Sequence, residues 1–333
     1  MTTASGFTLR ASPLRLLTGQ LFTTIPSTNM HTAQVTEWGQ NPKYVEVEEP
    51  AEPSADSGLV KIKVVAAGVH QLVRSLASGK HYASKTLPHV PGADGVGTTS
   101  NGKHVYFIAL GTGSFTEYAV VPERRVFPLP DGVDPLQAAA FVNPAMSSWM
   151  AFKARISNLQ PGFSVLILGA TSASGTLAIS LARSLGAGKV IGAARNADAL
   201  ASLGLDETIV LQDNVSETDF SKANDVDVVL DYLYGPVVEH LFKTITPTKP
   251  LQYVHIGSLA GLDISLPGAV LRSKDITIRG AGPGSWDLKA LSTEMPALLQ
   301  AFSQAKPGKV NVLSLKDIEQ TWNTKGDRVV YTP

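Results

Sequence analysis

Residues 165–175 read Val-Leu-Ile-Leu-Gly-Ala-Thr-Ser-Ala-Ser-Gly. An apolar strand here runs straight into a turn of small residues that opens a helix. Such a junction gathers bare backbone N–H groups and a helix N-terminus at one point, an arrangement suited to a dinucleotide pyrophosphate. The rest of the chain can be laid out around it. What is missing narrows the chemistry further: none of the 333 residues is cysteine, which removes disulfides, thiolate metal sites and cysteine nucleophiles together.

An apolar fraction of 44% over this length supports two units with separate cores. The formal net charge is zero and no basic run occurs, so nucleic acid and anionic membrane are not expected partners. Apolar stretches stop well short of the roughly 18–20 residues that span a bilayer. A small-molecule substrate is the expected partner class. The absence of cysteine is compatible with a reducing compartment, and the cytoplasm is the expected location.

The first thirty residues differ from the rest. No Asp or Glu precedes Glu37, Ser and Thr are dense, and Arg10 and Arg15 lie among Leu9, Leu14, Leu16 and Leu17. Two readings stand: an unstructured extension ahead of Met30, or an organellar transit segment that would make the location mitochondrial. Pro13 and Gly19 interrupt a long amphipathic helix. Residues 1–29 are set aside from the fold.

From Thr32 the pattern is short β-runs broken by Pro and Gly. Val60, Ile62 and Val64 alternate with Lys61 and Lys63, as in a strand with one wet face. Residues 32–38, 44–47, 104–108 and 115–121 read similarly, while Gly92, Gly95 and Gly97 read as a sharp turn. No helix of any length is expected before Pro135. After Pro161 near-continuous Val/Ile/Leu runs predict strands at 164–168, 189–194, 208–211, 226–231, 253–257 and 276–280, alternating with helical patches. That alternation implies a parallel sheet covered on both faces. Leu177, Leu181 and Leu185, with Ala178 and Ala182 beside them, predict a helix over 176–185 lying flat on that sheet. A helix past Pro283 and strands near 310–313 and 328–331 should return to the first unit. The expected division is 30–148 with 284–333 as a β-rich unit, and 149–283 as a doubly wound parallel sheet.

The strand at 189–194 ends in Arg195-Asn196 rather than in the carboxylate that a ribose 2′-hydroxyl calls for. A guanidinium there would pair with a 2′-phosphate, which favours NADP(H) over NAD(H). The other reading of Arg195 is a solvated surface cation.

Taken in order, the β-rich unit, Pro91-Gly92-Ala93-Asp94-Gly95-Val96-Gly97, the Gly169–Gly175 turn and Gly326-Asp327-Arg328-Val329-Val330 resemble the medium-chain dehydrogenase/reductase superfamily. Within it the chain looks like the zinc-independent quinone oxidoreductase and enoyl reductase branch, over about residues 30–333. The resemblance implies an α/β fold, with a GroES-like β-rich catalytic domain and a Rossmann-type doubly wound domain. Zinc-dependent relatives hold a metal with Cys, His and Cys; the corresponding positions here carry His70, Ala93 and Asn143, which cannot complete a tetrahedral set, so no metal is expected.

Without a metal, the resemblance implies hydride transfer from NADPH to an activated C=C bond or a quinone, with side-chain donors stabilising the oxygen on which charge builds. The alternative is an NADP(H)-binding protein with little turnover, in a regulatory, structural or repurposed role. Tyr82 is the best carry-over as a substrate-side donor and His70 the second; the alternative reading of each is a structural residue. Cofactor contacts are expected at Gly169, Thr171, Ser172, Ala173 and Ser174 in the turn, and at Arg195 and Asn196. Further contacts are expected at Asp231-Tyr232, Ile256-Gly257-Ser258 and Gly282 at later strand ends, and at Ser147 and Ser148 at the entry to the nucleotide unit. The strand at 275–280 could pair across a two-fold axis to make a homodimer, as in resembling enzymes.

Overall fold

The computed structural model describes Met1 and residues 28–333, other than Lys306 and Asp327. The reading of residues 1–29 as an extension or transit segment therefore lies almost wholly outside the described residues.

The N-terminal part is built from strands. A two-stranded antiparallel pair, β1 (Asn29–Gln34) and β2 (Lys43–Glu48), precedes the long β3 (Leu59–Gly68). Helix α1 (Gln71–Ala77) follows, then β4 (Asp94–Thr98), β5 (His104–Ile108), β6 (Tyr118–Pro122) and β7 (Val126–Pro128). Two expectations are corrected here. A helix does precede Pro135: α1 is only seven residues long, too short for its Leu72, Val73 and Leu76 to show a period. And Gly95 and Gly97 lie within strand β4, not in a turn. They are glycines because β3 passes close by: a Cβ on Gly97 would stand 2.3 Å from Ile62 Cγ2 and 2.5 Å from the Lys63 carbonyl oxygen. Gly92 alone takes the turn conformation, at φ +104°. The strands expected over 32–38 and 115–121 are shifted to Asn29–Gln34 and Tyr118–Pro122.

Helix α2 (Pro135–Met150) leads out of this part, started by Pro135 and by the Asp134 carboxylate accepting the Leu136 N–H at 2.8 Å. Then come β8 (Ser164–Leu168), α3 (Ala173–Ser184), β9 (Lys189–Ala194), α4 (Ala197–Ala201), β10 (Glu207–Val210) and β11 (Val228–Asp231). Next are α5 (Gly235–Thr244), β12 (Leu251–His255), α6 (Gly268–Ser273) and β13 (Ile276–Gly280). These six strands form one wholly parallel sheet in the order β10-β9-β8-β11-β12-β13. The order reverses between β8 and β11, which opens a crevice at their carboxyl ends. The chain closes with α7 (Leu288–Phe302), β14 (Val310–Ser314), α8 (Ile318–Thr321) and β15 (Arg328–Thr332). β15 pairs antiparallel with β3, so the C-terminus completes the first, seven-stranded sheet. The fold is α/β, a GroES-like β-rich part joined to a Rossmann-type doubly wound sheet.

Strand β8 is buried on both faces, and its residues alternate between two cores. Leu166 and Leu168 pack with Val237, Val238 and Leu241 of α5. Val165 and Ile167 pack with Ala178, Ile179 and Ala182 of α3. The leucines of α3 do something other than expected: Leu177 and Leu181 turn away from the sheet into a core with Ala145, Met146 and Trp149 of α2 and Met295 and Leu298 of α7. Small side chains let α3 sit close on the sheet, and its large ones join the two parts. Leu181→Ala is therefore expected to lower stability by about 2–5 kcal/mol, read by urea denaturation; a loss under about 1 kcal/mol would contradict this packing role.

Candidate functional site

The turn after β8 is held closed by its own backbone. Gly169 takes φ +85°, and the N–H groups of Gly169 and Ala170 both donate to the Ala193 carbonyl of β9, at 2.8 and 3.1 Å. Ser172 caps α3, its Oγ accepting the Gly175 N–H at 3.1 Å. Gly175 presses on the turn so closely that a Cβ there would stand 2.3 Å from the Gly169 carbonyl oxygen. Thr171 is exposed, and Ser172, Ala173 and Ser174 are half-buried around the first turn of α3, whose leading N–H groups have no carbonyl within the helix to bond. The serine at 172, a departure from a glycine-rich pattern, thus serves as a helix cap.

Arg195 begins just past β9, two residues beyond the Ala193 carbonyl that holds the turn. Its side chain is exposed and makes no hydrogen bond or ion pair with any described residue. Asn196 beside it caps α4, accepting the Ala199 N–H at 2.9 Å.

A cavity of about 790 Å³ opens where α3 meets the C-terminal segment of the other part. Thr171, Ala173 and Thr176 line it on one side; Arg74, Lys309, Lys325 and Arg328 line it on the other, and no acidic side chain does so among the described residues. The Arg74 guanidinium donates to the Trp322 carbonyl at 2.7 Å, and Arg328 donates to the Val69 carbonyl at 3.2 Å. Burial shifts both guanidinium pKa values down, against a pull upward on Arg328 from Asp94. These four cations were missed by sequence reasoning. The only hint was Arg328 in the C-terminal Gly-Asp-Arg-Val-Val, because contact with α3 depends on the return of the chain.

His70, at the N-cap of α1, is 4% exposed, and its Nε2 lies 2.7 Å from Asp94 Oδ1. Asp94 Oδ2 accepts the Tyr106 hydroxyl at 2.6 Å. Burial and the Asp94 charge hold the Tyr106 phenol well above its ordinary range, so it stays a donor. His70 Nδ1 is buried with no partner. Tyr82 sits elsewhere than a substrate donor would be expected: it is 73% exposed, and its hydroxyl donates to the Pro283 carbonyl, tying the loop after α1 to the end of the parallel sheet. Gly282, in that segment, gives its N–H to Ser285 Oγ at 2.9 Å.

The other predicted contacts divide. Ser147 is half-buried, with Oγ 3.3 Å from the Tyr232 hydroxyl and 2.6 Å from the Pro144 carbonyl. Burial pushes the Tyr232 phenol up to about 12. Ile256, Gly257 and Ser258 are half-buried at the carboxyl edge, beyond β12. Two side chains are turned inward, against the expectation of ligand contact. The Ser148 hydroxyl is fully buried and bonded to the Ala145 carbonyl at 3.1 Å, one turn back in α2. The Asp231 carboxylate is 0% exposed and engaged by the backbone of Leu233 and Tyr234 and by the Tyr253 hydroxyl.

No family model matches the chain. A protein of Emericella nidulans named "Probable NADPH-dependent quinone reductase tdiC" is 34% identical over 358 aligned positions, covering 91% of this chain and all of that one. The chain belongs to the quinone oxidoreductase branch of the medium-chain dehydrogenases/reductases. Human quinone oxidoreductase is 27% identical over 61% of this chain and 63% of its own length. Among solved structures, a quinone oxidoreductase of Pseudomonas syringae pv. tomato superposes with a TM-score of 0.75 at 22% identity, covering 91% of this chain and all of that one. Mycobacterial Rv1454c complexed with NADPH gives 0.71 at 19%, with the same coverages. No group of three or more His, Asp or Glu that could hold a metal ion converges among the described residues.

The free Arg195 generates a direct expectation. Arg195→Ala should weaken NADPH binding by about 1.5–3 kcal/mol and leave NADH nearly unchanged, as read by cofactor fluorescence; equal effects on both would remove the phosphate-clamp role.

Proposed function

We propose that this chain is an NADPH-dependent oxidoreductase that reduces a quinone or an activated C=C bond without a metal. The observation that supports the reading is the closed turn 169–175 with a guanidinium unpaired among the described residues at the adjoining strand end and a cavity opposite that Arg74, Lys309, Lys325 and Arg328 line. Residues 149–283 form the NADP(H) half and residues 30–148 with 284–333 the substrate half.

The residues fit the cofactor on chemical grounds. The turn and the first turn of α3 offer N–H groups to a pyrophosphate, and Arg74 and Arg328 supply positive charge across the cavity. Arg195 binds the 2′-phosphate. Half-buried Ser147 and the segment Ile256–Ser258 border the inner end of the site. When bound, NADPH supplies a hydride. On the substrate side, His70 is the donor that the geometry favours, ahead of Tyr82. Its Nε2–H is given to Asp94, which fixes the ring, and Nδ1 is a buried polar atom whose partner a substrate oxygen would be. A proton carried on Nδ1 would be donated to the oxygen that gains charge. Tyr82, bonded across to Pro283, holds the mouth of the cleft between the two halves.

A homodimer through β13 is part of this proposal. That strand is one of the two edges of the parallel sheet among the described residues, and Ile278 is exposed on it. No described helix is long and apolar enough to cross a membrane. A cytoplasmic location is proposed from the cysteine-free composition, with import the alternative that the acid-free residues 1–29 keep open.

Purified protein given NADPH and a panel of quinones and enones is expected to oxidise the cofactor, followed at its reduced-nicotinamide absorbance; no rate above background on any acceptor would overturn the reading. His70→Asn is expected to lower kcat by about 10²–10³-fold while leaving the Kd for NADPH unchanged. A variant with wild-type kcat would return the donor role to Tyr82.

A further inference from the structure

Asp231 ends β11 at the carboxyl edge of the parallel sheet, fully buried, with both oxygens engaged. Oδ1 accepts the Leu233 N–H at 2.8 Å and the Tyr234 N–H at 3.1 Å; Oδ2 lies 3.1 Å from the same Tyr234 N–H and accepts the Tyr253 hydroxyl at 2.5 Å. Burial and the Asp231 charge raise the Tyr253 phenol, so it remains a donor. These bonds hold Tyr234 at φ 59°, ψ −160°, a conformation that is almost confined to glycine and persists elsewhere only when the surroundings enforce it.

The loop after β12 is moulded on that strained segment. The Asp231 carbonyl accepts the N–H groups of Ile256 at 2.7 Å and Gly257 at 3.1 Å; the Tyr232 carbonyl accepts Leu259 at 3.1 Å and the Leu233 carbonyl accepts Ala260 at 2.7 Å. A Cβ on Gly257 would lie 3.2 Å from the Tyr232 carbonyl oxygen, and one on Gly235 would lie 2.8 Å from Gly261 Cα. The Tyr234 ring packs on His255 with centroids 4.1 Å apart, and His255 Nε2 is 3.4 Å from Ser258 Oγ. The path of residues 256–260 is thus copied from residues 231–235, and the path of residues 231–235 is set by one carboxylate.

We propose that Asp231 is a positioning residue: it enforces the strained backbone at Tyr234 and so fixes the loop Ile256–Ser258 in the shape that receives the cofactor. The proposal rests on reading that loop as a cofactor contact. It assigns the carboxylate no contact with the ligand, and it accounts for a tyrosine being tolerated where glycine is otherwise required.

The test is a rescue. Asp231→Asn keeps the side chain's size but sets an amide donor against N–H and O–H donors; it is expected to raise the Kd for NADPH about tenfold or more. Tyr234→Gly adopts the same backbone without help and is expected to bind NADPH as wild type does. The double variant Asp231→Asn/Tyr234→Gly should fold and regain affinity to within about threefold of Tyr234→Gly alone. A residue with only a general structural role would give no such recovery. Wild-type affinity in Asp231→Asn, or a double variant that fails to fold or bind, overturns the proposal; if the single variant cannot be purified, the double variant decides. Hydrogen exchange on the wild-type protein separates the two readings. NADPH should protect residues 256–260, and absence of protection removes the loop assignment and the proposal with it. Protection together with an unaffected Asp231→Asn overturns the positioning role alone.

Discussion

The contact between Gly175 and the Gly169 carbonyl is the constraint on which the rest of the site depends. With no room for a Cβ at 175, the first turn of α3 lies directly against the end of β8, and the chain reverses within a few residues. That closeness aims the helix N-terminus at the crevice where the strand order reverses. It also sets the axis of α3, whose Ala178, Ile179 and Ala182 meet the sheet while Leu177 and Leu181 meet α2. One short turn therefore places both the proposed anion site and the junction between the two halves of the molecule.

Charge is arranged around this turn by placement rather than by composition, since the chain carries equal numbers of acidic and basic residues. Two carboxylates among the described residues are buried and turned inward: Asp94 toward His70 and Tyr106, Asp231 toward the backbone of residues 233 and 234. Each is satisfied by several donors, which is what makes a buried anion tolerable. The cations do the reverse. Arg195 is exposed, and Arg74, Lys309, Lys325 and Arg328 border the cavity. At the proposed site an anionic ligand meets donors and positive charge, while Asp94 and Asp231 act as internal scaffolding.

Much of this was legible in the sequence where a local pattern is dictated by a local cause. The strands Ser164–Leu168, Lys189–Ala194 and Ile276–Gly280 were readable to the residue, because each run is bounded at one end or both by glycine or by a charged residue. Short elements were less so: α1 has too few residues to display a period, and the glycines of β4 mimic turn residues when they in fact admit a crossing strand. For the site, Arg195 and the turn were visible because they lie on one continuous segment. Arg74 and Arg328 were not, since the Val69–Arg328 contact joins positions 259 apart in sequence. Asp231 and Ser148 lie at the right strand and helix ends, but whether such a side chain faces ligand or core is decided by neighbours that the sequence does not place beside it, as the Tyr253 hydroxyl does for Asp231.

The family resemblance and the physical reading converge on one picture, in which a phosphorylated dinucleotide lies across the carboxyl edge of the parallel sheet and a metal-free donor waits on the β-rich side. A crystal structure of the protein with NADPH tests this most directly. The account places the pyrophosphate on the N–H groups between Gly169 and Ser174, the 2′-phosphate within hydrogen-bonding distance of Arg195, and the nicotinamide end toward Ser147 and His70. A cofactor whose phosphates lie away from that turn, or whose 2′-phosphate is held by residues other than Arg195, would contradict it.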